Sequence, residues 1–203
     1  MQSVDSKILN RIYGSGRGVV FTPCHFLGIG SRDAVDKVLS RLALKGTIRR
    51  LARGLYDYPK NHPVMGILSP SPDRIAGAIA GKHGIRLQPS GAYAANLLGL
   101  STQVPAKIVY LTDGPSRTVR VGNQEIRLQR TTPRNMRSAG RISGLVIQAL
   151  RHVGQKHVDD AVIQSLHRKL STRDRKQLLQ DIAFAPAWMG AYLRVLAREN
   201  HEL

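Results

Sequence analysis

The spacing of apolar residues predicts a helix and a short strand at the start of the chain. Val4, Ile8 and Ile12 share one face of a helix over residues 4–13. A glycine-rich turn ends this pattern, and residues 18–21 have the composition of a short strand. The first element pair is therefore a helix followed by a strand.

Residues 22–58 show the pattern of two helices followed by a β-hairpin. Thr22 and Pro23 suit the cap and the first position of a short helix. Ser31 suits the cap of a second helix, whose apolar positions recur at i, i+3, i+4 and i+7: Val35, Val38, Leu39 and Leu42. Two β-prone runs then flank Ala52-Arg53-Gly54, which predicts a hairpin. This order of elements is typical of a winged helix-turn-helix, a fold that binds DNA.

The middle of the chain changes from a proline-rich connector to alternating helices and strands. Residues 59–72 hold four of the ten prolines and lack periodicity, which predicts a linker with at most a brief strand at Ile67-Leu68. Helices are predicted from residue 72 through Lys82 to Gly84 and over residues 92–98, and strands over residues 85–88 and 107–112. A hairpin is predicted over residues 117–130 around Gly122-Asn123, a favoured two-residue turn.

That hairpin register has a consequence for side-chain pairing. It places Val119 opposite Ile126 and Arg120 opposite Glu125, an apolar pair and a pair of opposite charge. From Ser143 onward the apolar spacing is helical, and Trp188 and Tyr192 are interpreted as core rather than interface residues. The predicted fold is therefore α+β: a winged helix-turn-helix in residues 1–58, a linker in 59–72, and an α/β domain in 73–203 with an antiparallel hairpin and a helical C-terminal region.

The charge of the chain narrows the class of partner. The sequence has 31 Lys and Arg residues against 13 Asp and Glu, a formal net charge of +18. A charge this large favours a polyanion such as nucleic acid. No apolar run reaches the roughly 18 residues of a spanning helix, and the N-terminus lacks the apolar core of a signal peptide, so we expect a cytoplasmic protein.

The predicted DNA-binding residues lie on the second helix and the hairpin of residues 22–58. They are Ser31, Arg32, Lys37, Arg41, Arg49, Arg50 and Arg53. The first turns of a recognition helix usually meet base edges, so Arg32 and Lys37 are candidates for bases or phosphates and Ser31 for a phosphate. We expect Arg49 and Arg50 to contact phosphates and Arg53 to enter a minor groove. Alternatively, this basic face is only a solvated surface.

The acidic residues beside these cations allow two interpretations. Asp33 and Asp36 could accept hydrogen bonds from cytosine, or they could pair with Lys37 and Arg32, which is the commoner arrangement. One winged domain reads few base pairs, so we expect paired half-sites, occupied by a dimer or by two monomers.

An arginine-rich segment follows in the second half of the chain. It contains Arg117, Arg120, Arg127, Arg130, Arg134, Arg137 and Arg141. Three interpretations stay open: a second nucleic-acid surface, a solvated sheet face, or a site for an acidic protein partner.

The sequence contains few features that indicate a catalytic site. The histidines show no HExxH-like spacing for a metal, and the adjacent Asp159 and Asp160 point in different directions on a helix. The single cysteine, Cys24, excludes an internal disulfide. We therefore expect no catalytic residues, metal or cofactor.

Two stretches of the chain resemble the AbiEi-type antitoxins of type IV toxin–antitoxin and abortive-infection systems. The first is residues 27–59, with the apolar helix pattern, Gly46-Thr47-Ile48 leading into the wing, and the RG(V/L)Y signature at Arg53-Gly54-Leu55-Tyr56. The second is residues 89–100, PSGAYAANLLGL, followed by a strand and an arginine-rich hairpin.

The resemblance implies a function in two parts. The winged domain would bind inverted repeats in the promoter of its own operon and repress it. The C-terminal domain would counteract a nucleotidyltransferase-like toxin, without necessarily binding it. The alternatives are a winged-helix regulator unrelated to a toxin and a non-catalytic RNA-binding factor.

Overall fold

Helices and short strands alternate along the computed structural model, which describes residues 3–81 and 84–198. The described residues contain eight α-helices and nine strands, so the predicted α+β class is confirmed. Contacts divide the chain into two compact units. The first extends to Ile85 and includes Val119–Ile126, and the second contains Arg86–Thr118 and the residues from Arg127 onward.

The first unit begins with the elements of the predicted order. They are α1 (Val4–Gly14), β1 (Val20–Phe21), a 3₁₀ helix (Pro23–Phe26), α2 (Arg32–Leu44), β2 (Arg49–Ala52) and β3 (Leu55–Asp57). The short helix after Thr22 is a 3₁₀ helix rather than an α-helix, because only four residues separate its cap from Leu27 and such short runs favour the tighter turn. The Thr22 amide donates to Nδ1 of His25 at 3.2 Å, which holds its first turn.

The helices α1 and α2 both start at a serine cap. The Ser3 hydroxyl accepts from the Ser6 amide at 3.2 Å, and the Ser31 hydroxyl accepts from the Ala34 amide at 3.4 Å. These bonds satisfy amides that lack a partner inside the helix. After α2, Gly46 adopts a positive φ of 71°, a conformation that ends the helix and turns the chain toward β2.

An apolar core joins the helices of the first unit to its sheet. The sheet has the order β1-β3-β2 with antiparallel pairs, in which Arg49 lies opposite Asp57 and Ala52 opposite Leu55. Phe21 stacks on Tyr56, with ring centroids 6.3 Å apart. The buried residues of this core are Ile8, Ile12, Phe21, Phe26, Val35, Val38, Leu39, Leu42, Ile48 and Tyr56. They include all four apolar residues that were predicted for the buried face of α2.

The segment predicted to be a linker contains secondary structure. The strands β4 (Asn61–His62) and β5 (Gly66–Ile67) form a small antiparallel hairpin. The helix α3 (Pro72–Ala80) follows, capped by Ser71. Contacts assign this hairpin and α3 to the first unit. The predicted extension of the helix through Lys82 lies outside the described residues.

The second unit combines strands with a group of helices. Its elements are β6 (Leu87–Ser90), α4 (Gly91–Leu97), β7 (Lys107–Thr112), parts of β8 (Arg117–Val121) and β9 (Gln124–Arg130), α5 (Ile142–Val153), α6 (Asp160–Lys169), α7 (Thr172–Asp181) and α8 (Gly190–Ala197). The four strands have the order β6-β7-β9-β8, and β6 pairs antiparallel with β7. The bounds of β7, β8 and β9 match the sequence prediction.

The core of the second unit lies among its helices. Apolar residues of α4 through α8 are buried together, among them Leu98, Leu150, Leu166, Leu178 and Leu193. Trp188 packs against this cluster and meets Tyr192 edge to face, with centroids 6.2 Å apart, which agrees with the interpretation of Trp188 as a core residue. In the described part of the chain, no helix is both long and apolar enough to cross a membrane.

Candidate nucleic-acid interface

The helix α2 presents a polar face on the first unit. Its apolar side chains are buried, whereas Arg32, Asp33, Lys37, Ser40 and Arg41 are exposed. Ser31 at its N-terminus is also exposed, and its hydroxyl caps the helix. An open depression on this face is lined by Asp36, Lys37, Ser40 and Arg41. Ser40 therefore lies on this face, although it was not among the predicted DNA-binding residues.

Arg32 is engaged by an acidic neighbour one helical turn away. Its Nε donates to Oδ2 of Asp36 at 2.8 Å, and a guanidinium nitrogen lies 3.9 Å from Sγ of Cys24. The hydrogen bond and charge of Asp36 raise the pKa of Arg32. Of the two interpretations of Asp36, the structure therefore contains the ion pair, which leaves less net charge at Arg32 for a phosphate.

Arg41 connects α2 to α1. One guanidinium nitrogen, Nη2, lies 2.9 and 2.7 Å from the two carboxylate oxygens of Asp5. Both side chains are about half exposed. The pair therefore orients Arg41 along the surface rather than outward into solvent, and such exposed pairs add little stability.

The side chain of Arg49 is bonded to other groups of the first unit. Its Nε and Nη2 donate to the two oxygens of Asp57 at 3.1 and 2.6 Å, and Nη2 also donates to the Leu68 carbonyl at 2.9 Å. The Asp57 side chain is 1% exposed, so Arg49 neutralises a buried carboxylate. This geometry directs Arg49 into the protein and away from the phosphate contact that we predicted for it.

Three of the predicted DNA-binding cations are left without such a partner. Lys37, Arg50 and Arg53 are exposed and form no hydrogen bond or ion pair through their side chains within residues 3–81 and 84–198. Arg53 lies in the turn between β2 and β3, next to Gly54 with a φ of 68°. The same holds for Lys45 after the end of α2, which the sequence prediction did not include. These side chains lie on consecutive elements of one compact unit.

The arginine-rich segment is divided between the two units. Arg120 lies in the part of the hairpin assigned to the first unit, whereas Arg117, Arg127, Arg130, Arg134 and Arg137 belong to the second. All six are exposed. Arg120 lies 3.8 Å from Oε2 of Glu125, so the predicted charge pair across the hairpin is present.

The end of the arginine-rich segment contacts the helices of the second unit. The Arg137 guanidinium lies over the ring of Phe184, 5.7 Å from its centroid. Arg141 donates to Oδ1 of Asp181 at 2.8 Å, and the hydroxyl of Ser143 donates to the other oxygen of this buried carboxylate. These two arginines therefore contribute to packing. Arg127, Arg130 and Arg134 form no side-chain hydrogen bond or ion pair in the described structure.

The acidic and histidine side chains of residues 3–81 and 84–198 do not cluster in the way that a metal site requires. Among the described residues, no group of three or more His, Cys, Asp or Glu side chains could hold a metal ion.

The fold and charge define an α+β protein with a basic helix and hairpin in its first unit. The chain belongs to the DUF6088 family, a family of unknown function whose model matches residues 7–178. No curated protein matches the chain. The family match spans residues of both compact units.

Proposed function

We propose that this chain is a DNA-binding regulator whose residues 3–58 act as a winged helix-turn-helix, with α2 as the recognition helix and the β2–β3 hairpin as the wing. The observation that carries this proposal is a set of exposed cations on α2 and the hairpin that have no acidic partner among the described residues: Lys37, Arg50 and Arg53. Three other arginines of this region are held by aspartates, so the positive charge available to a ligand is concentrated at these positions.

The proposed contacts follow from the dimensions of DNA and the chemistry of each side chain. The major groove, about 12 Å wide, admits an α-helix. In this arrangement Lys37 and Ser40 face the base edges, where Lys can donate to guanine and Ser to several bases. Arg50 contacts a phosphate, and Arg53 at the tip of the wing enters the adjacent minor groove.

The first experiment measures whether binding prefers a sequence. The full chain is titrated into labelled double-stranded DNA from the region upstream of its own gene, with scrambled DNA and RNA of equal length as controls, at several salt concentrations. We expect the chain to prefer the upstream DNA. We also expect its affinity to fall with salt, with a slope of log K against log salt concentration of about −0.9 for each phosphate contact. Equal affinity for upstream and scrambled DNA would contradict a sequence-reading regulator. Preference for the RNA would favour the RNA-binding alternative.

The proposal extends to antitoxin action against a nucleotidyltransferase-like toxin. The support is the resemblance of residues 27–59 and 89–100 to the AbiEi-type antitoxins. In such a role the protein represses its own operon through paired half-sites and counteracts the toxin by a second activity, acting in the cytoplasm.

A growth assay separates repression from antitoxin action. The nucleotidyltransferase-like gene adjacent to this one, if present, is expressed from an unrelated inducible promoter, together with the full chain or its Lys37/Arg50/Arg53 triple alanine variant. We expect both proteins to restore growth, because the promoter no longer depends on the winged helix. Failure of the wild-type chain to restore growth would contradict the antitoxin proposal and leave DNA binding intact.

A further inference from the structure

The exposed face of α2 includes a large apolar side chain, that of Leu44, the last residue of the helix. Leu44 is 89% exposed, the highest value among the large apolar side chains that the structure describes. By contrast, the four apolar residues on the buried face of α2 are at most 7% exposed. Because so little of its surface is buried, the folding of the first unit does not require an apolar residue at position 44.

Leu44 lies in line with the residues that the proposed function places against the base edges. It follows Lys37 by seven residues, and at 3.6 residues per turn the two side chains differ in direction by only about 20°. It follows Ser40 by four residues, about 6 Å along the helix axis, and such pairs are neighbours on a helix surface. A ligand that extends along the helix over Lys37 and Ser40 therefore also reaches Leu44.

The chemistry of the major groove determines what an apolar side chain can contact there. The base pairs present hydrogen-bond donors and acceptors in this groove, and the apolar group among them is the C5-methyl of thymine. The phosphates that border the groove are charged, and a leucine side chain forms no hydrogen bond with them. A leucine that faces the bases therefore favours thymine, just as a lysine favours the acceptors of guanine.

The cations beside Leu44 are consistent with this placement. Arg41, one turn earlier, is held by both carboxylate oxygens of Asp5. Lys45, the next residue, is exposed and forms no side-chain hydrogen bond or ion pair in the described part of the chain, so it is available to a phosphate at the border of the groove. The group available to the bases at this end of α2 is therefore the leucine side chain.

We propose that Leu44 is a specificity-determining residue that packs on the C5-methyl group of a thymine in the major groove. This inference deepens the proposed function and rests on it. Base pairs are spaced about 3.4 Å apart, so with α2 along the groove this thymine lies about two base pairs from the base that faces Ser40. The contact removes apolar surface of both groups from water, which favours thymine over cytosine at that position.

Replacement of thymidine by deoxyuridine tests this contact, because deoxyuridine lacks only the C5-methyl group and pairs in the same way. The full chain is titrated by fluorescence anisotropy into the DNA upstream of its own gene, prepared with thymidine or with deoxyuridine throughout. We expect the wild type to prefer the thymidine DNA by at least about fourfold, the effect of one buried methyl group. Leu44→Ala should lower this preference by about fourfold, whereas any effect of the replacement on DNA shape is common to both proteins.

Two further variants serve as controls. Leu44→Met keeps an apolar side chain of similar volume and should retain the preference for thymidine DNA. Leu179→Ala makes the same change as Leu44→Ala at a half-exposed leucine of α7 and should bind both DNAs as the wild type does. Alanine is the best helix former, so we expect Leu44→Ala to fold, and circular dichroism checks this.

The outcomes separate a failure of this inference from a failure of the proposed function. The inference is overturned, and the proposed function stands, if the wild type prefers upstream to scrambled DNA but binds the thymidine and deoxyuridine forms equally. The same conclusion follows if Leu44→Ala keeps the wild-type preference for thymidine DNA. If the wild type binds upstream and scrambled DNA equally, the proposed sequence-reading function fails and this inference fails with it.

Discussion

The two cation-rich regions of this chain differ in what their side chains contact. On α2 and the β2–β3 hairpin, aspartates hold three arginines in place. The remaining cations of these elements form no ion pair with any residue that the structure describes, and they lie on one compact unit. In the arginine-rich segment the exposed cations are divided between two units, and two arginines at its end pack against Phe184 and Asp181. The difference shows that the number of arginines in a stretch does not define a binding surface. The positions of the carboxylates decide which cations are available.

The largest expected effect is the loss of DNA affinity when the exposed cations Lys37, Arg50 and Arg53 are removed. The triple variant Lys37→Ala/Arg50→Ala/Arg53→Ala should bind the upstream DNA about 100-fold more weakly, because three contacts worth roughly 1 kcal/mol each are lost. The slope of log K against log salt concentration should become less steep by about 0.9, because Arg50 is the one residue of the three that is proposed to contact a phosphate. Fluorescence anisotropy at several salt concentrations measures both quantities.

The matched control is Arg127→Ala/Arg130→Ala/Arg134→Ala, which removes the same number of unpaired arginine or lysine charges from the second unit. We expect it to change affinity by less than about threefold, through the general charge of the protein alone. If the two triple variants lose affinity equally, the distinction between the two regions fails and the arginine-rich segment is a second nucleic-acid surface.

A substitution at Arg49 tests the structural role of a paired arginine. Arg49→Ala leaves the carboxylate of Asp57 buried without its partner, which should lower the free energy of unfolding by about 2–3 kcal/mol. Arg41→Ala breaks the exposed pair with Asp5 and should cost less than about 0.5 kcal/mol. Urea denaturation of the two variants gives both values. Equal free energies of unfolding for Arg49→Ala and Arg41→Ala would show that the burial of Asp57 does not increase the cost of losing its partner.

The elements of the fold were largely predictable because their signals are local. Apolar spacing predicted α1 and the buried face of α2. Gly122-Asn123 predicted a hairpin in which Arg120 and Glu125 form a pair. The hairpin of β4 and β5 was not predictable in this way. Each of its strands has two residues, too few for a periodicity, and the prolines around it have the composition of a linker.

The partners of the charged side chains were only partly predictable. The pair Arg32–Asp36 follows from helical spacing, since the residues are one turn apart. The pairs Arg41–Asp5 and Arg49–Asp57 depend on how α1 packs on α2 and on the strand register. Those are tertiary contacts, and a sequence pattern within one element carries no information on them.

A smaller effect is expected when an aspartate releases its arginine. Asp36→Asn removes a negative charge from the face of α2 and frees the guanidinium of Arg32, so affinity for DNA should rise about threefold. Asp33→Asn is the control, since it removes the same charge from the same helix and Asp33 has no ion-pair partner in the described structure. Anisotropy titrations in parallel isolate the contribution of Arg32. An equal rise in both variants would mean that only net charge matters.

The smallest effect concerns an ion pair of the second unit with no proposed role in binding. Arg86 donates from its side chain and its amide to Asp113, at 2.8 and 2.9 Å, and these bonds lower the pKa of Asp113 below its ordinary value of 3.8. A lowered native pKa stabilises the fold above the unfolded value and loses this contribution as pH falls through the native value. Asp113→Asn should therefore reduce stability at pH 7 by less than about 0.5 kcal/mol, the range for partly exposed pairs, and the difference from the wild type should shrink as pH falls below 3.8 and through the lowered native pKa of Asp113. Urea denaturation at several pH values measures this difference in stability. Unchanged DNA affinity at pH 7 would show that the charge of Asp113 is purely structural. A loss of DNA affinity in this variant would instead connect the second unit to binding.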